Sequence, residues 1–303
     1  MPPRTCARHS AQRERRSGRA AVLIAASWAA AITAALVLAA CSAGSRDSHG
    51  SPNAGSSRNP AWLLTRWALS QLTASPVARN LLRDSRVFEV LREGQRPLAG
   101  VSAAPVVTFG SAVALEDAIR SSRLPRGIYG VLYDPEAWAF TPAPEQRNPV
   151  RAVTRAAAAA HAHGLRLIAA PALNLATVLS PDSGEPRWRR FVDLNLVGRM
   201  ARAADVIELQ AQSLERGTAT YVNFVRTATS QARAANASVE VLAGLSTNPP
   251  GVRVDSRRLT AAIQATRSIV EGYWLNIPGH GEQCPTCNAP SPHIAIETLR
   301  ALH

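Results

Sequence analysis

From residue 84 onward the chain alternates short apolar runs with longer stretches in which apolar residues recur every three or four positions. The short runs are Pro105–Phe109, Gly127–Asp134, Leu165–Pro171, Asp205–Gln210, Val239–Gly244 and Gly272–Ile277, with a weaker one at Val87–Leu91. Runs of this length, bounded by turn residues, predict buried strands. The stretches between them predict helices at Ala112–Ser121, Pro149–His163, Arg189–Ala203, Thr218–Ala235, Ser256–Val270 and Pro292–Leu302. Pro149 suits a first helical turn, Gly164 suits a helix end, and Asp255 and Ser256 suit N-caps. Residues 61–83 place Trp62, Leu69 and Leu72 on one helical face and Leu63 with Trp67 on another, which predicts a helix without clean amphipathicity.

Strands alternating with helices imply βα units, a mostly parallel sheet and right-handed crossovers. An open, doubly wound sheet usually carries a glycine-rich phosphate turn after its first strand, and Phe109-Gly110-Ser111-Ala112 is not that turn. The strand 206–210 puts Ile207 and Leu209 on one face and Val206, Glu208 and Gln210 on the other. A strand buried in an open sheet is apolar on both faces, whereas a barrel strand can turn polar inward near its C-terminal end. The last strand behaves alike, with Trp274 and Asn276 opposite Tyr273, Leu275 and Ile277. The expected fold class is therefore α/β, a TIM-like (β/α) barrel, incomplete if only the six or seven recognisable strands exist.

The N-terminal segment changes where such a barrel would work. Arg13, Arg15, Arg16 and Arg19 precede an apolar stretch, Ala20 to Ala40, that ends in Leu38-Ala39-Ala40-Cys41. Basic start, apolar middle and small-residue exit form a secretory signal. The arrangement resembles the signal peptide and lipobox of bacterial lipoproteins, which implies cleavage before Cys41, acylation of its sulfur with palmitate-type chains, and a membrane anchor on the extracytoplasmic face. An uncleaved transmembrane anchor is the alternative, and it also leaves the domain outside. The expected organisation is a signal peptide at 1–40, a Ser/Gly/Asn/Pro-rich tether at 41–60, and one barrel domain at 61–303.

Charge and composition then narrow the partners. The net charge is +13, but six arginines and one glutamate lie within residues 1–40, so the mature chain carries +8. All 34 basic residues are arginine, scattered without the clustered stripe and interleaved aromatics of a nucleic-acid surface. No nucleic-acid partner is expected, and a mild attraction to anionic wall polymers or headgroups is. The absence of lysine excludes Schiff-base chemistry and a Walker-type phosphate loop.

The C-terminal ends of the predicted strands gather candidate chemistry. In order they bring Tyr133, Asp134, Glu136 and Trp138, then Asn174, then Glu208, Gln210 and Gln212, then Ser246 and Asn248, then Trp274 and Asn276. Carboxylates donate protons or attack, amides bind hydroxyls, and indoles stack on sugar faces, so these residue types suit a glycan site. Tyr133-Asp134-Pro135-Glu136-Ala137-Trp138 resembles the acidic strand ends of glycoside-hydrolase barrels, and more loosely the chitinase type, although the longer run of alternating aspartates is absent. The resemblance implies Asp134, Glu136 and Glu208 as catalytic candidates. It implies Tyr133, Trp138, Asn174, Gln210, Gln212, Asn248, Trp274 and Asn276 as substrate-binding ones, with Trp274 as pocket floor. A glycan or cell-wall polymer is then the partner, the protein is a monomer, and no cofactor is needed. A noncatalytic carbohydrate-binding or wall-binding lipoprotein stays open as the alternative.

Cys284-Pro285-Thr286-Cys287 has three readings: a disulfide formed outside the cell, a redox pair, or half of a zinc site with His280 and His293. His161 and His163 sit at a helix end, where they complement the dipole better than they would hold a metal. Neither G-x-S-x-G nor H-E-x-x-H occurs, which argues against esterase and zinc-protease chemistry.

Overall fold

The computed structural model describes residues 59–249, 252–281 and 284–302. The expected signal peptide, Cys41 and the tether up to residue 58 lie outside the described residues. Everything described falls in one compact unit, Ser56–His303.

Eight parallel strands close into a barrel in sequence order. They are β1 (Ala61–Thr65), β2 (Val87–Leu91), β3 (Ala104–Phe109), β4 (Gly130–Tyr133), β5 (Arg166–Ala169), β6 (Val206–Leu209), β7 (Glu240–Ser246) and β8 (Gly272–Asn276). The barrel is therefore complete, and the missing strand lies inside the stretch predicted as helix. Ala61–Thr65 is buried almost throughout and pairs with β2 on one side and β8 on the other. Between two strands it needs apolar residues on both faces, which erases the alternation that would have marked it. The helix begins only at α1 (Arg66–Ala74), capped by Thr65, and α2 (Pro76–Arg83) follows.

The remaining helices ring the barrel. They are α3 (Ala112–Arg120), α4 (Ala143–Arg147), α5 (Pro149–His161), α6 (Leu175–Leu179), α7 (Arg187–Asp193), α8 (Leu196–Ala201), α9 (Thr218–Ala235), α10 (Ser256–Thr266) and α11 (Pro292–Ala301). The predicted helix at 189–203 is thus broken in two. Asn195 adopts the left-handed conformation, φ 47°, which asparagine tolerates better than most residues and which stops α7 before α8 begins. No helix among the described residues is long and apolar enough to cross a membrane.

Two apolar layers follow from the strand period of two. Outward residues such as Trp62, Leu64, Val107, Tyr133, Ile207 and Tyr273 pack against the helices. Inward residues Leu63, Phe88, Val90, Val106, Leu132, Ile168, Val206, Leu242 and Trp274 fill the interior. No helix joins β2 to β3, so the connecting loop must itself cover the outer face of β2. Glu89, buried on that face, fastens it by accepting the Leu98 N–H at 3.0 Å. Burial raises the Glu89 carboxyl above its usual range, opposed by that hydrogen bond and by Arg66. At the N-terminal end of the barrel Glu240 bridges Arg86 and Arg166, whose guanidinium groups lie over the rings of Phe88 and Tyr129.

The seam between β1 and β8 needs glycine. A Cβ added to Gly272 would lie 2.1 Å from the Ala61 carbonyl oxygen, a backbone atom that cannot turn aside. Gly272→Ala should therefore destabilise the barrel by about 1–3 kcal/mol, as overpacking does. Chemical denaturation would show this as a lower midpoint with an unchanged slope.

Candidate active site

Parallel strands bring all eight C-terminal ends to one face, and the inward positions there form the mouth. On β6 the inward series runs Val206, Glu208, Gln210, so the strand enters the core apolar and leaves it polar. Beyond β4, Asp134 follows Leu132 on the same face. One amide joins these two strand ends. Gln210 Nε2 donates to Asp134 Oδ1 and to the Ala170 carbonyl at 2.8 Å. Asn174 holds the next residues in place. Its Oδ1 accepts the Ala137 N–H at 2.9 Å, which turns its Nδ2 toward Glu136 Oε2 at 3.3 Å.

Glu208 lies deeper, with no exposed surface and no hydrogen-bond partner on either carboxyl oxygen. It fits because β7 has glycine where a side chain would otherwise project. A Cβ on Gly244 would stand 2.7 Å from Glu208 Oε1 and 2.5 Å from Gln212 Nε2, so carboxyl and amide share the space the glycine leaves.

Burial raises all three carboxyl groups, and neighbouring acids add to the shift at Glu208 and Asp134. Glu208 is pushed well above the ordinary carboxylate range, mainly by burial and then by the charges of Asp134 and Glu136. Asp134 is raised by burial and by Glu136, against the opposing bond from Gln210. Glu136 is raised by burial, against Asn174 and Gln210. The ion pairs among the described residues all lie elsewhere.

The rim beside Asp134 and Glu136 is aromatic and firmly held. Trp138 and Phe140 meet edge to face with centroids 4.9 Å apart, and Phe140 is 42% exposed. Thr141, which is buried, ties this rim to the acids. Its hydroxyl accepts from the Glu136 N–H at 3.1 Å and from the Trp138 indole N–H at 2.9 Å, and it donates to the Gly110 carbonyl at 2.7 Å. Gln146 adds bonds to the Trp138 and Thr141 carbonyls.

Asp134, Glu136, Trp138, Asn174, Glu208, Gln210 and Gln212 thus converge on one mouth. Tyr133 does not. Strand alternation turns it outward, where its buried hydroxyl donates to Glu145 Oε2 at 2.8 Å, so it cannot line the pocket. Glu145 in turn accepts the backbone N–H groups of Ala112 and Val113 at the start of α3. Asn248 is 1% exposed and donates to the Pro278 carbonyl, so it fastens the loop after β8 rather than facing a ligand. Trp274 is an inward floor residue with 8% exposure, buried too deeply to offer an open stacking face. Asn276 follows it on the inward side, half-buried. Cys284 and Cys287 form a disulfide in the loop after β8. His161 Nε2 lies 2.8 Å from Asp205 Oδ2, and among the described residues no cluster of His, Cys, Asp or Glu is suited to a metal. Gly244, Phe140 and Thr141 were not among the predicted site residues. The glycine inside an apolar run carried a signal of close approach; a threonine in a loop carried none.

No family model and no curated protein matches the sequence. Solved barrels are similar to this one. They include triosephosphate isomerase from Bartonella henselae (13% identity, TM-score 0.39, covering 72% of this chain and 92% of that one). The spore cortex-lytic enzyme SleL of Bacillus megaterium (11%, 0.43, 82% and 75%) and a xylanase from Cellvibrio japonicus (11%, 0.41, 79% and 97%) are others. At these identities the likeness is of fold, and the chemistry of this mouth rests on its own side chains.

Because the folded state raises the Glu208 carboxyl above its unfolded value, the folded chain keeps a proton that the unfolded chain has lost. The contribution of Glu208 is complete below the unfolded value and fades as pH rises through the folded one. Glu208→Gln should therefore gain stability over the native chain as pH goes from 5 to 9. A gain of about 1 kcal/mol at the alkaline end would appear in thermal melts as roughly 2–4 °C in Tm.

Proposed function

We propose that the barrel mouth hydrolyses a glycan, with Glu136 as proton donor and Asp134 as its partner carboxylate. The observation that supports this best is the pair itself: two carboxyl groups two residues apart at one strand end, Asp134 held by Gln210 and Glu136 by Asn174, and both biased toward protonation by burial. A general acid working near neutral pH needs that bias, and Glu136 keeps enough exposure to meet a substrate oxygen. Glu136 would protonate the leaving glycosidic oxygen. Asp134, when ionised, would attack the anomeric carbon if the carboxyls stand about 5 Å apart in the complex, or activate water at about 6.5–9.5 Å. Glu208, wholly buried, stays protonated beneath them and so adds no third negative charge. Trp138 and Phe140 provide a stacking edge, and Asn174, Gln210 and Gln212 supply amides for hydroxyl groups.

A second reading, a noncatalytic glycan-binding or wall-binding protein, draws on a specific feature. The ends of β7 and β8 carry Ser246 and Asn276, so neither strand end offers a carboxylate opposite Asp134 and Glu136.

We further propose that Cys41 carries lipid and that residues 41–60 tether the barrel, as a monomer, to the outer face of the cell membrane. The Cys284–Cys287 disulfide suits an oxidising compartment.

A soluble chain spanning Ser56–His303 contains the whole barrel and both apolar layers. Incubated with cell-wall and other polysaccharides, it should bind glycan and release reducing ends. Glu136→Gln should lower release by about 10²–10⁴-fold while leaving binding nearly intact. Trp138→Ala should weaken binding by about 0.5–1.5 kcal/mol. Binding without release from the native chain would favour the second reading, and release lost only in Glu208→Gln would transfer the acid role to Glu208.

A further inference from the structure

We propose that the mouth selects an amino sugar with a free amine, its ammonium group held by Asp134 and Glu136 against the Trp138–Phe140 rim. This rests on the glycan reading above and names the substrate class within it.

The chain carries 34 arginines, and among the described residues Asp117, Glu93, Glu116, Asp205, Glu240 and Glu271 each meet an arginine within ion-pair distance. No such pair reaches Asp134, Glu136 or Glu208. In a strongly basic protein the acids of the mouth are served by amides alone, Gln210 and Asn174, which carry no charge.

Glu208 is the independent sign that this pocket is arranged for a ligand and is not simply a solvated acidic edge. It faces inward from β6 beneath Asp134 and Glu136, is fully buried, and has no hydrogen-bond partner on either oxygen. A uronate or phosphate entering this mouth would bring negative charge beside Asp134 and Glu136, which among the described residues have no arginine within ion-pair distance. A neutral sugar would gain ordinary hydrogen bonds only. An ammonium would gain a charge-assisted bond to the ionised Asp134, shorter and stronger than a neutral one, and would donate a second bond to the carbonyl oxygen of Glu136. It would also stand beside two aromatic rings whose faces attract cations, in a loop that Thr141 fixes relative to the acids.

The test compares oligomers of one length by calorimetry on the Ser56–His303 chain: glucosamine, N-acetylglucosamine and galacturonic acid. The glucosamine oligomer should bind at least about tenfold more tightly than its acetylated counterpart, and the galacturonate least of all. The double variant Asp134→Asn/Glu136→Gln, checked for native circular dichroism, should lose the preference for the amine, the glucosamine and N-acetylglucosamine oligomers then binding alike. Trp138→Ala, at a partly exposed position, should reduce the preference without abolishing it. Equal or tighter binding of the acetylated oligomer overturns the inference and leaves the glycan reading standing. A preference that survives in the double variant overturns it as well. Failure of all three oligomers and of polysaccharide to bind the native chain removes the glycan reading itself.

Discussion

Closing a parallel sheet on itself leaves no edge, so every strand of this barrel divides its side chains between the helical ring and the axis. That division, repeated with a period of two, determines which residues can ever meet. It places Tyr133 and Asp134, adjacent in sequence, in different environments, one hydrogen-bonded to Glu145 behind the sheet and the other on the mouth. It also decides where glycine is required. Gly272 lets β8 close on β1, and Gly244 leaves room for Glu208 and Gln212 on the axis. Chain closure and the site are thus consequences of one geometric rule acting on different residues.

The same rule explains why the site is electrostatically costly. Glu208 is too enclosed for water to solvate it, Asp134 and Glu136 are only partly exposed, and the amides of Gln210 and Asn174 offset only part of the penalty. Glu208 bears most of it, since neither of its oxygens has a partner. Burial and the charges of Asp134 and Glu136 push the Glu208 carboxyl toward its protonated form. The cost is tolerable because the rest of the barrel is apolar in two layers and because its opposite end holds the paired charges of Arg86, Arg166 and Glu240. The barrel therefore carries compensated charge at one end and uncompensated charge at the other.

Much of this was legible in the chain. Six strand runs and most helices follow from periodicity alone, and the switch from Val206 to Glu208 and Gln210 on one face announced both a barrel and its mouth. The first strand was hidden because a segment buried on both sides has no alternation to read, and the following helix lent it a false period. Asn195 split a helix whose apolar spacing runs through the break. At the site, residue type located the acids correctly, but the outward turn of Tyr133 required the register of β4. The holding roles of Asn248 and Thr141 depend on bonds to Pro278, Gly110 and Trp138, which are distant in the chain or invisible to periodicity.

Among the described residues the mouth holds a set of carboxyl groups with no arginine in ion-pair reach, and carbon-13 NMR of the side-chain carboxyls tests their coupling most directly. With aspartate and glutamate labelled and Asp134→Asn, Glu136→Gln and Glu208→Gln used for assignment, the signal of Glu208 should be that of a protonated acid at pH 7. Those of Asp134 and Glu136 should titrate above the ordinary carboxylate range and shift when either partner is replaced. Three independent titrations near pH 4 would contradict the account.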